Sequence, residues 1–216
     1  MKKYTVKKIS AGFTTDGDIL KPQWESANQL TIDNYPWYKS GLKQKTVVKM
    51  LHDDKSIFAL FLCEDKHIHA ERIGLNSLVC LDSCVEFFAD PGTGNYFNLE
   101  MNCCGTMLIG YGLDRYKRTL VSQRIADKIN FFKSVPGTIK SESPDDESWF
   151  LEIEIPLSMI EELTNVKIEK LSGKSWKVNF FRCGGKTDDQ YACWSPIVAP
   201  KPDYHRPEYF GDIIFE

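Results

Sequence analysis

The sequence predicts an all-β fold, an antiparallel β-sandwich of jelly-roll-like form with one or two short helices. Three observations carry this. Short β-rich runs recur along the whole chain, two pairs of them flank compact turn segments, and helix signals are few. In chain order, TVVKMLHDDKSIFALFLCED holds two β-rich runs around the polar break HDDKS, and reads as a hairpin. SCVEFFADPGTGNYFNLEMN holds a second pair around ADPGTGN, whose proline and glycines mark a loop. WFLEIEIP alternates, with Leu151, Ile153 and Ile155 on one side and Glu152 and Glu154 on the other. WKVNFFRC sets Trp176, Val178 and Phe180 against Lys177 and Asn179, and FGDIIFE is the last candidate strand. PLSMIEELTN (156–165) reads as a short helix opened by proline, and PQWESAN (22–28) as a single turn. Polar loops are expected over 33–45, 64–79, 110–128, 140–148 and 184–192.

The 216 residues suit one domain over 1–216, and 42% apolar with 12% aromatic content fills a sizeable core. A formal charge of −3 gives no field for phosphate backbones, so nucleic acid is not an expected partner. The chain has no basic run that would coat an anionic membrane and no apolar run of spanning length. The start, MKKYTVKKISAGFTTDGD, lacks the apolar stretch of about seven or more residues that a secretory leader needs. The expected compartment is therefore the cytoplasm, with a secreted or periplasmic setting if a leader has been removed. Seven cysteines, mostly in apolar runs, read as free buried thiols rather than a disulfide framework. Their spacing matches no zinc motif.

Few side chains point to chemistry. His67 and His69 share a face only if EDKHIHAER is a strand, and its polarity favours an exposed edge or loop over a metal site. Glu86, Glu100, Glu152 and Glu154 are carboxylates in strand-like runs. Paired across a cleft they would serve a glycosidase, but solvated strand faces are the simpler account. The chain has no GxSxG nucleophile turn and no glycine-rich phosphate loop. The aromatics say more, because sugar rings stack their C–H faces on aromatic rings. Trp149 and Trp176 open strands and are expected in the core, whereas Trp37, in NYPWYKSG, is a surface candidate. Tyr204, His205 and Arg206 form a loop cluster in YHRPEYFG.

DGDILKPQWESAN, VVKMLHDDKSIFALFLCED, LDSCVEFFADPGTGNYFNLEMNCCGTM, WFLEIEIPLSMI, WKVNFFRCGG, YACWSPI and HRPEYFG follow one another along nearly the whole chain. In this order they resemble the carbohydrate-binding module family 9 domain, and more closely its family-9-like bacterial relatives. The resemblance implies a β-sandwich that binds sugar chain ends without cleaving them, often attached to polysaccharide-degrading enzymes. Family members sandwich a sugar between two tryptophans. Cys80 takes the place of the first, and Tyr204, or His205 with the loop shifted by one, takes that of the second. Glu86 matches an acidic residue that hydrogen-bonds the sugar, and an arginine and an asparagine of the next strand correspond to Asn98 and Glu100. The resemblance also implies that Phe210 is core, and Trp194 is read as a plug between sheets.

The leading expectation is a non-catalytic domain holding a mono- or oligosaccharide through Glu86, Asn98, Glu100, Asn179, Arg182, Tyr204 and His205, with Trp37 as an added surface. Its affinity is expected to be micromolar to millimolar, because a small polar ligand buries little area. A sugar-modifying enzyme with paired carboxylates, and a scaffold that has lost its ligand, are the alternatives. No cofactor is expected. A structural calcium remains open at residues 53–55 or 89–95, although polar turn chemistry accounts for both. The sequence sets no oligomeric state.

Overall fold

The computed structural model describes residues 2–216. Its elements are β1 (Lys3–Lys8), α1 (Pro22–Ser26), β2 (Gln29–Ile32), β3 (Thr46–His52), β4 (Ser56–Glu64), β5 (Cys84–Asp90), β6 (Tyr96–Asn102), β7 (Met107–Gly112), β8 (Arg118–Leu120), α2 (Gln123–Ala126), β9 (Asn130–Lys133), β10 (Ser148–Pro156), α3 (Leu157–Thr164), β11 (Ser175–Cys183), β12 (Ala192–Cys193) and β13 (Gly211–Phe215). The strands run in the order β8-β7-β6-β5-β11-β13-β1-β3-β4-β10-β9, with β12 on β11 and β2 on β3.

The sheet is mixed rather than strictly antiparallel. β1 runs parallel to β13 from Lys3↔Asp212 to Val6↔Phe215, then parallel to β3 at Lys7↔Leu51 and Lys8↔His52. One strand thus belongs to two sheets and folds them against each other. Tyr4 and Val6 are its buried positions; its lysines hide a strand whose apolar face is only two residues long.

The two expected hairpins form. Asp53 Oδ1 accepts the Lys55 and Ser56 amides at the β3–β4 turn, where Asp54 is left-handed (φ 64°). Asp90 Oδ1 accepts the Gly92, Thr93 and Gly94 amides between β5 and β6. These aspartates thus spend oxygens on turn amides, and no group of three or more His, Cys, Asp or Glu among the described residues is arranged to hold a metal. Both expected helices are present, and α3 ends at a left-handed Asn165 (φ 55°). The stretch 110–128 is not all loop: it contains the end of β7, all of β8 and α2.

The main core lies between the two sheets. Phe87 and Phe180 stack there at 5.1 Å, Trp149, Trp176 and Trp194 are all buried, and Gly211 leaves room for the Trp194 ring. Trp194 meets Phe180 edge-on at 5.7 Å, as a plug should. The seven cysteines are unpaired, and all but Cys80 are buried.

Arg182 belongs to this core, which corrects its assignment to a binding face. Its register partner is Val85, an inward residue, and it is fully buried. Its Nη2 donates to Asp65 Oδ2 at 2.5 Å, and its guanidinium lies 5.0 Å from the Trp149 ring. Asp65 also accepts from Ser83 Oγ (2.7 Å) and Trp149 Nε1 (2.9 Å). Burial works to raise the Asp65 pKa, but Arg182 and these hydrogen bonds outweigh it and hold the carboxyl below its usual range. The pair links β11 to the chain leaving β4. Removing one partner leaves a buried charge uncompensated. Arg182→Met should therefore cost about 3–5 kcal/mol in urea unfolding; a loss under about 1 kcal/mol would mean the pair is not a strut. Because the folded-state Asp65 pKa is depressed, its contribution is present at neutral pH and lost as pH falls.

Candidate functional site

The outer face of the β8-β7-β6-β5-β11 sheet carries the site. Alternation turns Val85, Phe87 and Ala89 of β5 inward and Cys84, Glu86 and Phe88 outward. The register then lines up Glu86 with Glu100 of β6 on one side and Phe181 of β11 on the other. Phe88 is level with Asn98, and Cys84 with Cys183. Phe88, Tyr96, Phe181 and Cys183 would be exposed but for the chain from 194 to 210, whose Ile197, Tyr204 and Phe210 cover them and make a second apolar core. The crowding of aromatics before the last strand is largely this cover.

Where the cover stops, a pocket of about 300 Å³ opens. Glu86 and Glu100, 2% and 4% exposed, lie deepest among its acidic groups. The helical turn Val79–Leu81 supplies Cys80 and Leu81 on one side, and Tyr204 and His205 line another. Arg115 and Arg118 come from the β7–β8 hairpin, and Tyr191 from the loop before β12. Arg118 is level with Gly112, yet its side chain crosses β7 toward Glu100: Nη1 lies 3.6 Å from Glu100 Oε1. Gly110 permits this, since a Cβ there would sit 3.0 Å from both the Arg118 Cδ and the Asn98 Oδ1. Arg118 Nη1 is buried and has no hydrogen-bond partner among the described residues. Arg115 is held at the rim by Asp203, at 3.0 Å.

The electrostatics follow from burying two like charges together. Desolvation first, then Glu100, pushes the Glu86 pKa well above its usual range. Desolvation raises Glu100 to about 7 although Arg118, Arg115 and the Asn98 amide (3.1 Å) pull the other way. Burial, then Glu86 and Glu100, raises the Cys80 thiol to about 12, so it is no nucleophile. Burial, then Arg118 and Arg115, pushes His205 down to about 3. The ring Nδ1 shares a hydrogen bond of 2.7 Å with Tyr96 Oη.

The sequence-predicted residues therefore divide. Glu86, Glu100, Tyr204 and His205 line one pocket together with Cys80. Asn98 stands behind it and orients Glu100. Asn179 is on the same face but spent: it bonds the Ser195 carbonyl (3.0 Å) and amide (2.8 Å) and pins the covering segment. Tyr204 is mostly structural, 7% exposed, with its ring flat on Phe181 at 4.1 Å and its hydroxyl donating to the Arg182 carbonyl. Trp37 lies outside the pocket on the far side of Tyr204, and its Nε1 donates to the Ala199 carbonyl at 2.7 Å. Neither Glu86 nor Glu100 is a solvated strand residue, and neither is Glu152, which is buried and accepts from Trp24 Nε1 and the Gly17 amide. His67 and His69 lie beyond β4 and not on a strand. His69 is buried with Asp82 and Glu71 each 3.6 Å away, whereas His67 stays partly exposed beside Glu142. Sequence reasoning missed Arg115, Arg118 and Tyr191. The alternation of Arg118 in RTL was the available signal, in a stretch assigned to loop.

The profile of carbohydrate-binding family 9 matches residues 19–215. A proposed carbohydrate-binding protein from Bacteroides uniformis superposes with a TM-score of 0.89 at 29% identity, covering 100% of this chain and 99% of that one. A carbohydrate-binding module family 9 domain from Caldicellulosiruptor kristjanssonii, solved with glucose, gives 0.65 at 15% identity, covering 100% and 96%. The same organism's domain with cellotriose gives 0.65 at 14%, covering 100% and 94%. At these identities the last two establish the fold. A comparison with curated proteins finds no match.

The carboxyl pair gives stability a definite pH dependence. Glu100 titrates at about 7 in the folded chain and near about 4.3 unfolded. The folded state therefore binds more protons between these values, and stability falls as pH rises through them. Relative to the Glu86→Gln/Glu100→Gln variant, wild-type Tm should fall between about pH 5 and pH 8, while the depressed His205 pKa gives both proteins a shared slope of opposite sign up to about pH 6.5. Equal slopes would place the charge elsewhere.

Proposed function

The chain belongs to carbohydrate-binding family 9, and from that premise we propose that one sugar ring sits in the pocket over Glu86 and Glu100. Non-catalytic carbohydrate binding is the activity that membership carries. One observation supports this pocket above others: the buried Arg118 Nη1 pairs with Glu100 at 3.6 Å but completes no hydrogen bond among the described residues, in a pocket that Glu86 also lines. An unmet buried donor costs about 1–3 kcal/mol, and a sugar hydroxyl would meet it. Adjacent hydroxyls would donate to Glu86 and Glu100, and the His205 ring at the pocket wall is a further hydrogen-bonding group. The volume of about 300 Å³ is at the lower end for ligand pockets, which suits a single ring with the rest of the chain outside.

The stacking surfaces are reduced. Cys80 offers no ring, and the Tyr204 ring already lies flat on Phe181. Apolar contact falls to Leu81, Leu108 and Tyr191 instead. Recognition therefore rests on hydrogen bonds more than on stacking, and weak affinity follows. Glucose-type rings are the first ligands to test, since relatives of the same fold are solved with glucose and cellotriose. Seven unpaired cysteines suit a reducing compartment. Among the described residues, no helix is long and apolar enough to cross a membrane.

Calorimetric titration against glucose and cello-, xylo- and manno-oligosaccharides, with product analysis of the same mixtures, tests this. Saturable binding without new products is expected. Glu86→Gln and Arg118→Met should each weaken it about tenfold, or about 1.4 kcal/mol, with little change in Tm. Unchanged affinity in both variants would move the site. New products would make the raised carboxyls a catalytic pair. Silence across the panel would leave a scaffold.

A further inference from the structure

A second cavity, about 560 Å³, adjoins the pocket and shares Tyr191 and Pro202 with it. It runs between the loop that carries Trp37, Tyr38 and Lys39 and the loops around 186–191 and 199–202. Tyr191 stands at the junction in a strained setting. It and Gln190 are consecutive left-handed residues (φ 42° and 60°), a conformation that bulky side chains seldom adopt and that concentrates at binding sites. Gln190 is buried and clamps the first loop, accepting from the Gln44 amide and donating to the Leu42 carbonyl. The Tyr191 ring is thereby presented to both cavities.

The lining is aromatic and basic. Lys39 and Lys201 are exposed and make no ion pair among the described residues. Lys186 is exposed too, 3.3 Å from Glu71, and outside the lining the Lys43 ammonium sits 4.5 Å over the Tyr38 ring. Against these stand two carboxylates in the lining. Asp188 is buried and accepts the Leu42 amide, so only Asp189 is exposed. The lining thus sets three lysines against two aspartates, a net charge of +1, and two of its ammonium groups, Lys39 and Lys201, are exposed and without an ion-pair partner among the described residues.

We infer that this groove is a second subsite that takes an anionic sugar unit, one bearing a carboxylate or a sulfate ester, linked to the ring in the pocket. The inference rests on the pocket holding a sugar. The linked unit would pass Tyr191, lie against the half-exposed Tyr38 and present its anion to Lys39 and Lys201. Lysine ammonium groups on flexible stems suit either anion, since neither requires a bidentate fork.

The probes are oligogalacturonides for the carboxylate, sulfated disaccharides for the sulfate, and neutral oligosaccharides of the same lengths. At low salt the acidic set should bind about five-fold or more tighter than the neutral set. The advantage should vanish near about 1 M salt, where the Debye length is ~3 Å. It should vanish equally in Lys39→Gln/Lys201→Gln, with glucose binding unchanged. Neutral sugars binding as well as acidic ones, or an advantage insensitive to the lysines, overturns the subsite and leaves the pocket standing. Lysine-dependent binding of acidic probes that ignores Glu86→Gln and Arg118→Met overturns the pocket instead. Silence from every probe overturns both.

Discussion

A salt bridge buried between the two sheets organises this molecule. Arg182 reaches inward from β11 to Asp65, and Trp149 covers the guanidinium. Two consequences follow for the opposite face. β11 must turn Phe181 and Cys183 outward, so its contribution to the site is apolar. The cations of the pocket come from elsewhere: Arg115 stands at the rim, and Arg118 of β8 crosses the bare backbone of Gly110. Alternation along β11 thus commits Arg182 to the core, and the pocket draws its cations from the β7–β8 hairpin.

The site is built on strands, with loops only at its rim. Glu86 and Glu100 are adjacent because of sheet register, and their neighbours are fixed by the same ladder. These carboxyls are held in a desolvated setting at a cost to stability. The rim segments, around Cys80, Tyr191 and His205, set the shape of the opening. Cys80 and the already-stacked Tyr204 leave the pocket with little ring surface, so the sugar recognition proposed for it rests on hydrogen bonds.

Much of the fold was legible in the sequence. Both hairpins announce themselves by Asp turn chemistry between β-rich runs, joined by glycines in the second, and both short helices have proline at their openings. β1 was not, because its lysines dominate a strand with only two buried positions, and a parallel partner leaves no turn signal. The site was half legible. Glu86 and Glu100 stood out as strand carboxylates and Tyr204–His205 as a loop cluster, the resemblance joined them into one candidate site, and they line one pocket. Asn179 and Arg182 are three apart on one strand and cannot share a face, and that parity alone excludes one of them from the site. The apolar cover hid the rest: with both faces of β5 and β11 buried, their runs lose the contrast that marks inside from outside. Arg118 lay in a stretch too polar to read as strand.

The central claim is that a sugar ring rests on the Glu86–Glu100 pair with Arg118 beside it. A crystal structure of the protein with its best-binding saccharide tests this directly. The account predicts one ring in the pocket, with hydroxyls within hydrogen-bond distance of Glu86, Glu100 and the Arg118 guanidinium. A saccharide bound on another face, with this pocket untouched, would contradict it.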